Sequence, residues 1–235
     1  MTLPIVFIHG ASSDPTSWDD QKAYFSKTRG VTVPDLTSFD NIGVMGDHVL
    51  ATAPAEFILC GTSMGGYVAF DVLKKAQGRV KTSILCNTTA RADAPERKRQ
   101  RQMEVNAGEE AYKEARKNDD HYKAFLSEKS AQDKALVARL RAISQRVGYG
   151  CFSRHQKACA ERVESLSYLP EINMPVLVMG GSEDKLIPLD LQREIQQGIK
   201  GAQLVAIDGT GHITNMEKPA DMNTAIETFL KQVAA

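Results

Sequence analysis

Three residues far apart in the chain have the types that nucleophilic catalysis requires: Ser63, Asp184 and His212. A serine hydroxyl is a weak nucleophile until a base accepts its proton, and histidine is the side chain whose ordinary pKa suits that task near neutral pH. A carboxylate holds the imidazole in the required tautomer and stabilises its protonated form. The three residues therefore predict acyl transfer to Ser63, with His212 as the base and Asp184 as the orienting acid.

Ser63 lies in the stretch FILCGTSMGGYVAF (57–70), where Gly61, Ser63 and Gly65 form a G-x-S-x-G pattern. The stretch predicts an apolar strand, a tight turn and the start of a helix. The flanking glycines let strand and helix approach closely, so that the hydroxyl projects at the top of the sheet as a nucleophile elbow. The alternative is that Ser63 serves only as a helix N-cap.

A tetrahedral intermediate of acyl transfer carries a negative oxygen, which preorganised N–H donors stabilise in an oxyanion hole. The N–H of Met64, at the start of the predicted helix, is one candidate donor. The N–H of Ala11, which follows His9 and Gly10, is the other. We expect His9 to orient this loop by hydrogen bonds and to have no part in proton transfer.

Other polar residues compete for these roles or have simpler explanations. Glu183, directly before Asp184, is the alternative acid, and Asp208 is expected to serve a turn. The histidines at 48, 121 and 155 fall on predicted helices and are expected to be partly exposed. Trp18 is expected either to line the pocket or to anchor the core.

Short apolar runs alternate with helix-like segments along most of the chain. The predicted strands are 3–8, 31–34, 57–60, 80–86, 175–180 and 203–207, and the predicted helices between and after them are 18–28, 42–53, 64–77, 189–198 and 220–233. Such alternation predicts an α/β fold, doubly wound, with a mostly parallel sheet of about six strands. Ligands bind outside the carboxyl ends of such strands, where all three proposed catalytic residues fall.

Residues 91–169 interrupt this alternation and are interpreted as a helical lid or cap insertion, with 1–90 and 170–235 forming the core domain. This helical insertion is rich in helix formers and shows no obvious strand, and its Leu136, Leu140, Ile143 and Val147 lie on one helical face. It contains 17 basic and 12 acidic residues, a net charge of +5. Because the whole chain has 29 of each, the remainder carries a net charge of −5.

The basic character of the helical insertion has two interpretations. It is an ordinary solvated helical surface, or it is a docking face for an acidic partner or for a phosphorylated or carboxylated substrate. The best single candidate for the second interpretation is the cluster Arg97-Lys98-Arg99-Gln100-Arg101.

Composition argues against several other classes of function. The chain is neutral overall, which gives no indication of nucleic-acid or membrane-surface binding. No apolar run reaches the roughly 20 residues of a membrane span, and the opening MTLPIVFIHG is interpreted as a strand instead of a signal peptide. The four cysteines lack metal-site spacing, so we expect free thiols in a cytoplasmic protein, with neither a metal nor an organic cofactor.

The chain resembles the α/β-hydrolase superfamily, in particular its small bacterial serine esterases and haloperoxidase-like hydrolases. The similar pieces are FIHG (7–10), VPDL (33–36), GTSMGGYVAF (61–70), VLVMGGSEDKLIP (176–188) and GTGH (209–212). They occur in the family's order of serine, acid and histidine and frame nearly the whole chain. The resemblance assigns the acid to Asp184 and places a lid where the helical insertion lies.

These observations predict a serine hydrolase that cleaves a small carboxylic ester through an acyl-enzyme. The same catalytic triad would also suit a lactone, a thioester, a carbon–carbon bond or an ester linked to an acyl carrier, because fold and triad do not distinguish these bonds. A non-catalytic ligand-binding module on the same scaffold is the alternative from a different class. It is disfavoured because a receptor need not retain all three residues.

Overall fold

The computed structural model describes residues 2–234 and contains a single six-stranded sheet. The strands are β1 (Ile5–Ile8), β2 (Val31–Thr32), β3 (Phe57–Thr62), β4 (Val80–Cys86), β5 (Val176–Gly181) and β6 (Gln203–Ile207). Their order across the sheet is β2-β1-β3-β4-β5-β6, and every neighbouring pair is parallel. The predicted α/β fold class is therefore confirmed.

Both faces of the sheet are buried, as expected for strands without polar alternation. Val6 and Ile8 belong to one hydrophobic cluster and Ile5 and Phe7 to the other, because successive side chains point to opposite faces. The first cluster includes residues of α2 (Ile42–Thr52), α3 (Met64–Ala76) and α8 (Leu189–Gly198). The second includes residues of α1 (Asp19–Phe25) and α10 (Pro219–Val233), so helices cover both faces.

Two predicted elements near the start of the chain are shorter than expected. Strand β2 pairs with β1 through only two residues, and the chain soon reaches Pro34, which has no N–H to extend the ladder. The first predicted helix, 18–28, is limited to α1 and ends at Phe25, and a 3-10 turn, Pro15–Trp18, capped by the Asp14 carboxylate, precedes it. Trp18 is fully buried and stacks on Phe7 with ring centroids 4.7 Å apart, so it anchors the core.

The chain between β4 and β5 is helical and contains no strand in the described structure. Its helices are α4 (Pro95–Asn106), α5 (Gly108–Ala115), α6 (Asp120–Lys123) and α7 (Lys134–Glu161), and a short α9 (Thr214–Glu217) follows β6. Helix α7 is kinked at Gly148, whose φ of 65° is readily adopted only by glycine. The division of the chain into a core and a separate lid stays a prediction.

Ion pairs join the helical insertion to the rest of the molecule. Four of them have the base in the helical insertion and the acid in the core: Arg91–Glu194, Arg139–Asp20, Arg146–Asp14 and Lys157–Asp40. Basic side chains of the helical insertion thus contact acidic side chains of the core within the molecule. Part of the basic excess of the helical insertion therefore serves internal pairing.

Candidate active site

Ser63 occupies the turn between β3 and α3 with a strained backbone. Its φ of 54° and ψ of −119° lie in a region that residues with side chains rarely adopt. A Cβ added to Gly61 would lie 2.2 Å from the Gly65 carbonyl oxygen, and one added to Gly65 would lie 2.2 Å from that of Ile8. The turn therefore requires both glycines of the G-x-S-x-G pattern.

The structure brings Ser63, Asp184 and His212 together at the carboxyl ends of β3, β5 and β6. His212 Nε2 lies 3.0 Å from Ser63 Oγ, and His212 Nδ1 lies 2.9 Å from Asp184 Oδ2. Because an ionised carboxylate only accepts hydrogen bonds, Nδ1 carries a proton and donates a hydrogen bond to Asp184. Nε2 is then free to accept a hydrogen bond from the Ser63 hydroxyl, which is the arrangement a general base needs.

Asp184 is buried, and both of its carboxylate oxygens accept hydrogen bonds. The N–H groups of Leu186 and Ile187 each donate to Oδ1 over 2.9 Å, while Asn87 Nδ2 donates to Oδ2 over 3.0 Å. Burial alone would raise the pKa of Asp184, but the hydrogen bonds from His212, Asn87 and the backbone hold it below its ordinary value. The carboxylate is therefore ionised when His212 needs it as an acceptor.

Asn87 is a site residue that the sequence places after β4 but for which we predicted no role. Its amide also donates to the Gly211 carbonyl over 3.2 Å, so it joins the acid to the loop that carries the histidine. Its φ of 44° is one of three positive values outside glycine among residues 2–234, the others being those of Ser12 and Ser63. All three residues follow strands at the same edge of the sheet. The position of Asn87 directly after a strand was the one feature of the sequence that could have indicated a role in the site.

The acidic residues next to the candidate triad make other contacts. Glu183 Oε2 accepts a hydrogen bond from the Glu128 N–H over 3.0 Å, and Asp208 Oδ1 accepts one from Ser182 Oγ over 3.4 Å. Neither carboxylate hydrogen-bonds to His212 in the described structure. The geometry therefore favours Asp184 over Glu183 as the partner of His212.

The loop that carries His212 is fixed by a segment of the helical insertion. The His212 N–H donates to the Phe125 carbonyl over 2.7 Å. The Glu217 carboxylate accepts hydrogen bonds from the N–H groups of Gly211 and Ser127, each over 2.9 Å. Glu217 thus ties the helical insertion to the histidine loop, a role that no local sequence signal indicated.

Two histidines organise the loop that follows β1. His9 Nε2 accepts a hydrogen bond from the Leu36 N–H over 3.0 Å, and Nδ1 donates to the Gly10 carbonyl over 3.0 Å. His155 Nδ1 accepts from the Ser12 N–H over 2.9 Å, and Nε2 donates to the Leu36 carbonyl over 3.0 Å. Burial lowers the pKa of His9, and burial lowers the pKa of His155 to about 4, so both rings are neutral at pH 7.

The prediction that His155 is partly exposed is wrong, because its exposed fraction is 0%. Helix α7 lies against the core at this point, and Arg154 also donates to the Thr37 carbonyl over 3.0 Å. The long-range docking of a helix is not encoded in its local pattern. His155 therefore connects the helical insertion to the loop beside the candidate nucleophile.

The two candidate oxyanion donors lie on either side of Ser63. Met64 is the first residue of α3, so its N–H has no acceptor within the helix. A Cβ added to Gly10 would lie 3.4 Å from Ser63 Cβ, which places the loop containing Ala11 beside the serine. Both N–H groups are thus near the hydroxyl, and their role in binding an oxyanion stays a prediction.

A cavity of about 820 Å³ opens above Ser63, and Ala11 and His212 also line it. The helical insertion contributes apolar residues to its walls: Tyr112, Phe125, Leu140, Ile143 and Phe152. The volume is within the range of small-molecule sites. The helical insertion thus provides an apolar part of the cavity wall. The sequence alone did not reveal the shape of this cavity.

Neither a membrane span nor a metal cluster is found in residues 2–234. No helix there combines the length and the apolar character needed to cross a bilayer. The same residues contain no group of three or more His, Cys, Asp or Glu placed to hold a metal ion. All four cysteines are buried free thiols.

Comparison with known proteins identifies the family. The profile of the Alpha/beta hydrolase family matches residues 5–225. The putative non-heme bromoperoxidase BpoC of Mycobacterium tuberculosis is 26% identical, covering 99% of this chain and 95% of that protein. A pimeloyl-[acyl-carrier protein] methyl ester esterase of Neisseria meningitidis is 23% identical, covering 88% of this chain and 85% of that protein.

A solved structure of similar sequence agrees with this identification. The malate-bound thermophilic esterase from Thermogutta terrifontis superimposes with a TM-score of 0.87 at 27% identity, covering 100% of this chain and 92% of that one. The family match spans nearly the whole chain, and both the predicted resemblance and the prediction of an enzyme are confirmed. The chain belongs to the alpha/beta hydrolase family.

Proposed function

We propose that this protein is a serine hydrolase that cleaves a small carboxylic ester through an acyl-enzyme. One observation carries the proposal: Ser63 Oγ, the His212 ring and the Asp184 carboxylate form a continuous hydrogen-bonded series with links of 3.0 and 2.9 Å. Nucleophile, base and orienting acid thus already have the geometry that acyl transfer requires.

The reaction would proceed in two halves. Ser63 Oγ attacks the carbonyl carbon while His212 Nε2 accepts the hydroxyl proton, and His212 then returns that proton to the departing alcohol oxygen. In the second half His212 accepts a proton from water, whose oxygen attacks the acyl carbon. The bond to Ser63 Oγ then breaks, His212 returns the proton to Oγ, and the acid is released. Asp184 keeps the ring in the Nδ1-protonated tautomer throughout and stabilises the imidazolium that forms twice.

The negative oxygen of each tetrahedral intermediate would be bound by the N–H groups of Ala11 and Met64. Preorganised donors of this kind contribute about 3 kcal/mol each to the stability of the transition state. The positive end of α3 adds to the field at the same point. The strained φ of 54° at Ser63 supports this arrangement, because a nucleophile elbow holds the serine in such a backbone conformation directly before the first N–H of the following helix.

An ester is favoured over the other acyl substrates that suit the triad. Two of the relatives named above are described as esterases, one of them a methyl ester esterase for an acyl-carrier-linked substrate. The acidic partner considered for the helical insertion stays a prediction. Arg97 and Arg101 of the basic cluster line the cavity, so Lys98 and Arg99 are its outward cations.

Ser63→Ala tests the proposal on 4-nitrophenyl esters of increasing acyl length. We expect kcat/KM to fall at least about 1,000-fold, because the nucleophile is lost. Ser13→Ala is the matched control, since Ser13 lines the same cavity and should tolerate the change within about threefold. Activity of Ser63→Ala near that of the wild type would overturn the proposal.

A further inference from the structure

We propose that the substrate carries a carboxylate remote from the scissile ester and that Arg116 binds this carboxylate. This inference rests on the proposed ester hydrolysis and specifies its substrate class. It comes from the charges that line the cavity, which the proposed mechanism does not use.

More arginines than acidic residues line the cavity above Ser63. Five arginines and two acids are among its lining residues, a net charge of +3: Arg91, Arg97, Arg101, Arg116, Arg162, Asp93 and Glu104. Clefts lined by one sign of charge attract ligands of the opposite sign. The lining therefore favours an anionic ligand over a neutral one.

Four of the five arginines already have a carboxylate partner. Arg91 pairs with Glu194, Arg97 with Glu104, and both Arg101 and Arg162 with Asp93. The side chains of Arg101 and Arg162 are also nearly buried, with exposed fractions of 11% and 5%. The guanidinium groups of these four arginines are thus already paired with carboxylates of the protein.

Arg116 differs from the other four. Within residues 2–234, no carboxylate oxygen lies within 4.0 Å of its guanidinium, and Nη2 makes no hydrogen bond. Nε donates to Ser144 Oγ over 3.2 Å and Nη1 to the Tyr112 carbonyl over 3.3 Å, both of them neutral acceptors. The Glu104 carboxylate acts on Arg116 only from a longer distance and pairs with Arg97, so Arg116 lacks the directly paired carboxylate that a half-buried arginine normally has.

The Arg116 guanidinium is held in place by aromatic rings. Its central carbon lies 3.6 Å from the centroid of Tyr112 and 4.8 Å from that of Phe152. Burial lowers the pKa of Arg116, which means that its charged form is destabilised by partial removal from water. A bound carboxylate would offset that loss, and a preorganised guanidinium suits its planar shape.

The surroundings of Arg116 favour a ligand with a single negative charge. The nearby His121 is neutral, because burial and the Arg116 charge lower its pKa to about 4. Arg116 is thus the one cation of this wall without a carboxylate partner in the described structure. Arg116 thus offers one unpaired planar guanidinium, which suits one carboxylate, whereas a phosphate monoester carries about two negative charges at neutral pH.

The position of Arg116 along the wall makes the carboxylate remote from the reacting carbonyl. The ring centroids of His121 and Phe125 are 5.8 Å apart, and those of Phe125 and His212 are 6.5 Å apart. Arg116 lies close enough to His121 for its charge to act on that ring, and two successive ring contacts lead from His121 through Phe125 to His212. A substrate that reaches both ends would carry an aliphatic spacer between its ester and its carboxylate.

The test compares 4-nitrophenyl hemiglutarate with 4-nitrophenyl pentanoate, which differ only in a terminal carboxylate in place of a methyl group. The wild type should prefer the hemiglutarate. In Arg116→Gln, kcat/KM for the hemiglutarate should fall about 10- to 100-fold, mainly through KM, because a charged hydrogen-bond partner is lost. The pentanoate rate should change less than threefold, which also shows that the variant folds.

Arg99→Gln is the matched control, because it removes one positive charge from the helical insertion at an exposed position paired with Glu96. It should leave both rates unchanged. Equal losses on both esters in Arg116→Gln, or no loss on either, would overturn the proposal. Arg116→Lys should recover part of the hemiglutarate preference, because it restores the charge without the planar donors.

A binding measurement separates this inference from the proposed reaction. Monomethyl glutarate should bind to the Ser63→Ala protein by calorimetry, and the affinity should fall about 10- to 100-fold when Arg116→Gln is added. Binding that is absent, or that is insensitive to Arg116, would overturn the carboxylate site. A Ser63→Ala protein that still hydrolyses the pentanoate would instead overturn the proposed function.

Discussion

The sheet core and the helical insertion carry opposite charges and make different contributions to the candidate site. The core has a net charge of −5 and holds Ser63, Asp184 and His212 at one edge of the sheet. The helical insertion has a net charge of +5 and supplies the arginines of the cavity and all of its tyrosine and phenylalanine rings except that of Tyr67. The difference suggests that the core performs the reaction and the helical insertion selects the substrate.

The net charge of zero conceals the opposite charges of the core and the helical insertion. Four ion pairs join bases of the helical insertion to acids of the core, and the Phe125–Ser127 segment bonds to the histidine loop. Charge complementarity thus acts between two parts of one chain.

Substitution of the two histidines of the cavity should give the largest difference in kcat between two variants. His212→Gln should lower kcat at least about 1,000-fold, because no base remains to accept the Ser63 proton. His121→Gln, on the wall formed by the helical insertion, should change kcat on a neutral ester less than about fivefold. Steady-state kinetics on 4-nitrophenyl pentanoate measures both, and similar losses in the two variants would contradict the division of roles.

The two neighbouring acids should differ nearly as much. Asp184→Asn should lower kcat about 100- to 1,000-fold, since an amide can donate to Nδ1 and would favour the wrong tautomer. Glu183→Gln, whose carboxylate accepts from the Glu128 N–H, should lower kcat less than about threefold. The reverse order of losses would assign the acid to Glu183.

The buried His155 should make the stability of the protein depend on pH. Its pKa in the folded protein is about 4, while an unfolded histidine has a pKa near 6.5. Between these values the unfolded chain binds a proton that the folded chain does not, so acidification favours unfolding. The contribution of His155 should be complete above pH 6.5 and fall by about 3 kcal/mol by pH 4.

Urea titrations of the wild type and His155→Gln over this pH range measure the effect. The stability difference between the two proteins should shrink as pH falls, because the variant lacks the titrating group. Thr52→Ala on α2 is the control, because threonine does not titrate in this pH range, and it should retain the slope of the wild type. A His155→Gln slope identical to that of the wild type would contradict the assignment.

The smallest effect is expected at the exposed ion pairs between the two regions. The side chains of Lys157 and Asp40 are about half exposed, and such pairs contribute about 0–1 kcal/mol. A double-mutant cycle with Lys157→Ala and Asp40→Ala should therefore give a coupling free energy below about 1 kcal/mol. A much larger coupling would show that single pairs, and not the whole interface, hold the helical insertion on the core.

The sequence was most informative where local pattern and function coincide. Ser63 follows an apolar strand within a glycine pattern that the backbone requires, so both its element and its position could be predicted. Asp184 and His212 also follow strands, and parallel strands bring their carboxyl ends to one edge. The sheet and the convergence of these three residues followed from these local features.

The remaining features depend on contacts between distant segments. The sequence predicts a partly exposed position on a helix for His155, which becomes buried only because α7 packs against the core. Glu217 and Asn87 act through backbone groups of other loops, which no spacing pattern reveals. Arg116 is distinguished only by the partners that the other cavity arginines have, and that distinction requires the packed structure.

The central claim is that Ser63 is the nucleophile and that His212 activates it. Incubation with a fluorophosphonate, followed by peptide mass mapping, tests this claim most directly because the adduct is covalent. We predict a single adduct on the peptide containing Ser63. This adduct should form at least about 100-fold more slowly in His212→Gln than in the wild type. An adduct on another residue, or none on the folded wild-type protein, would contradict it.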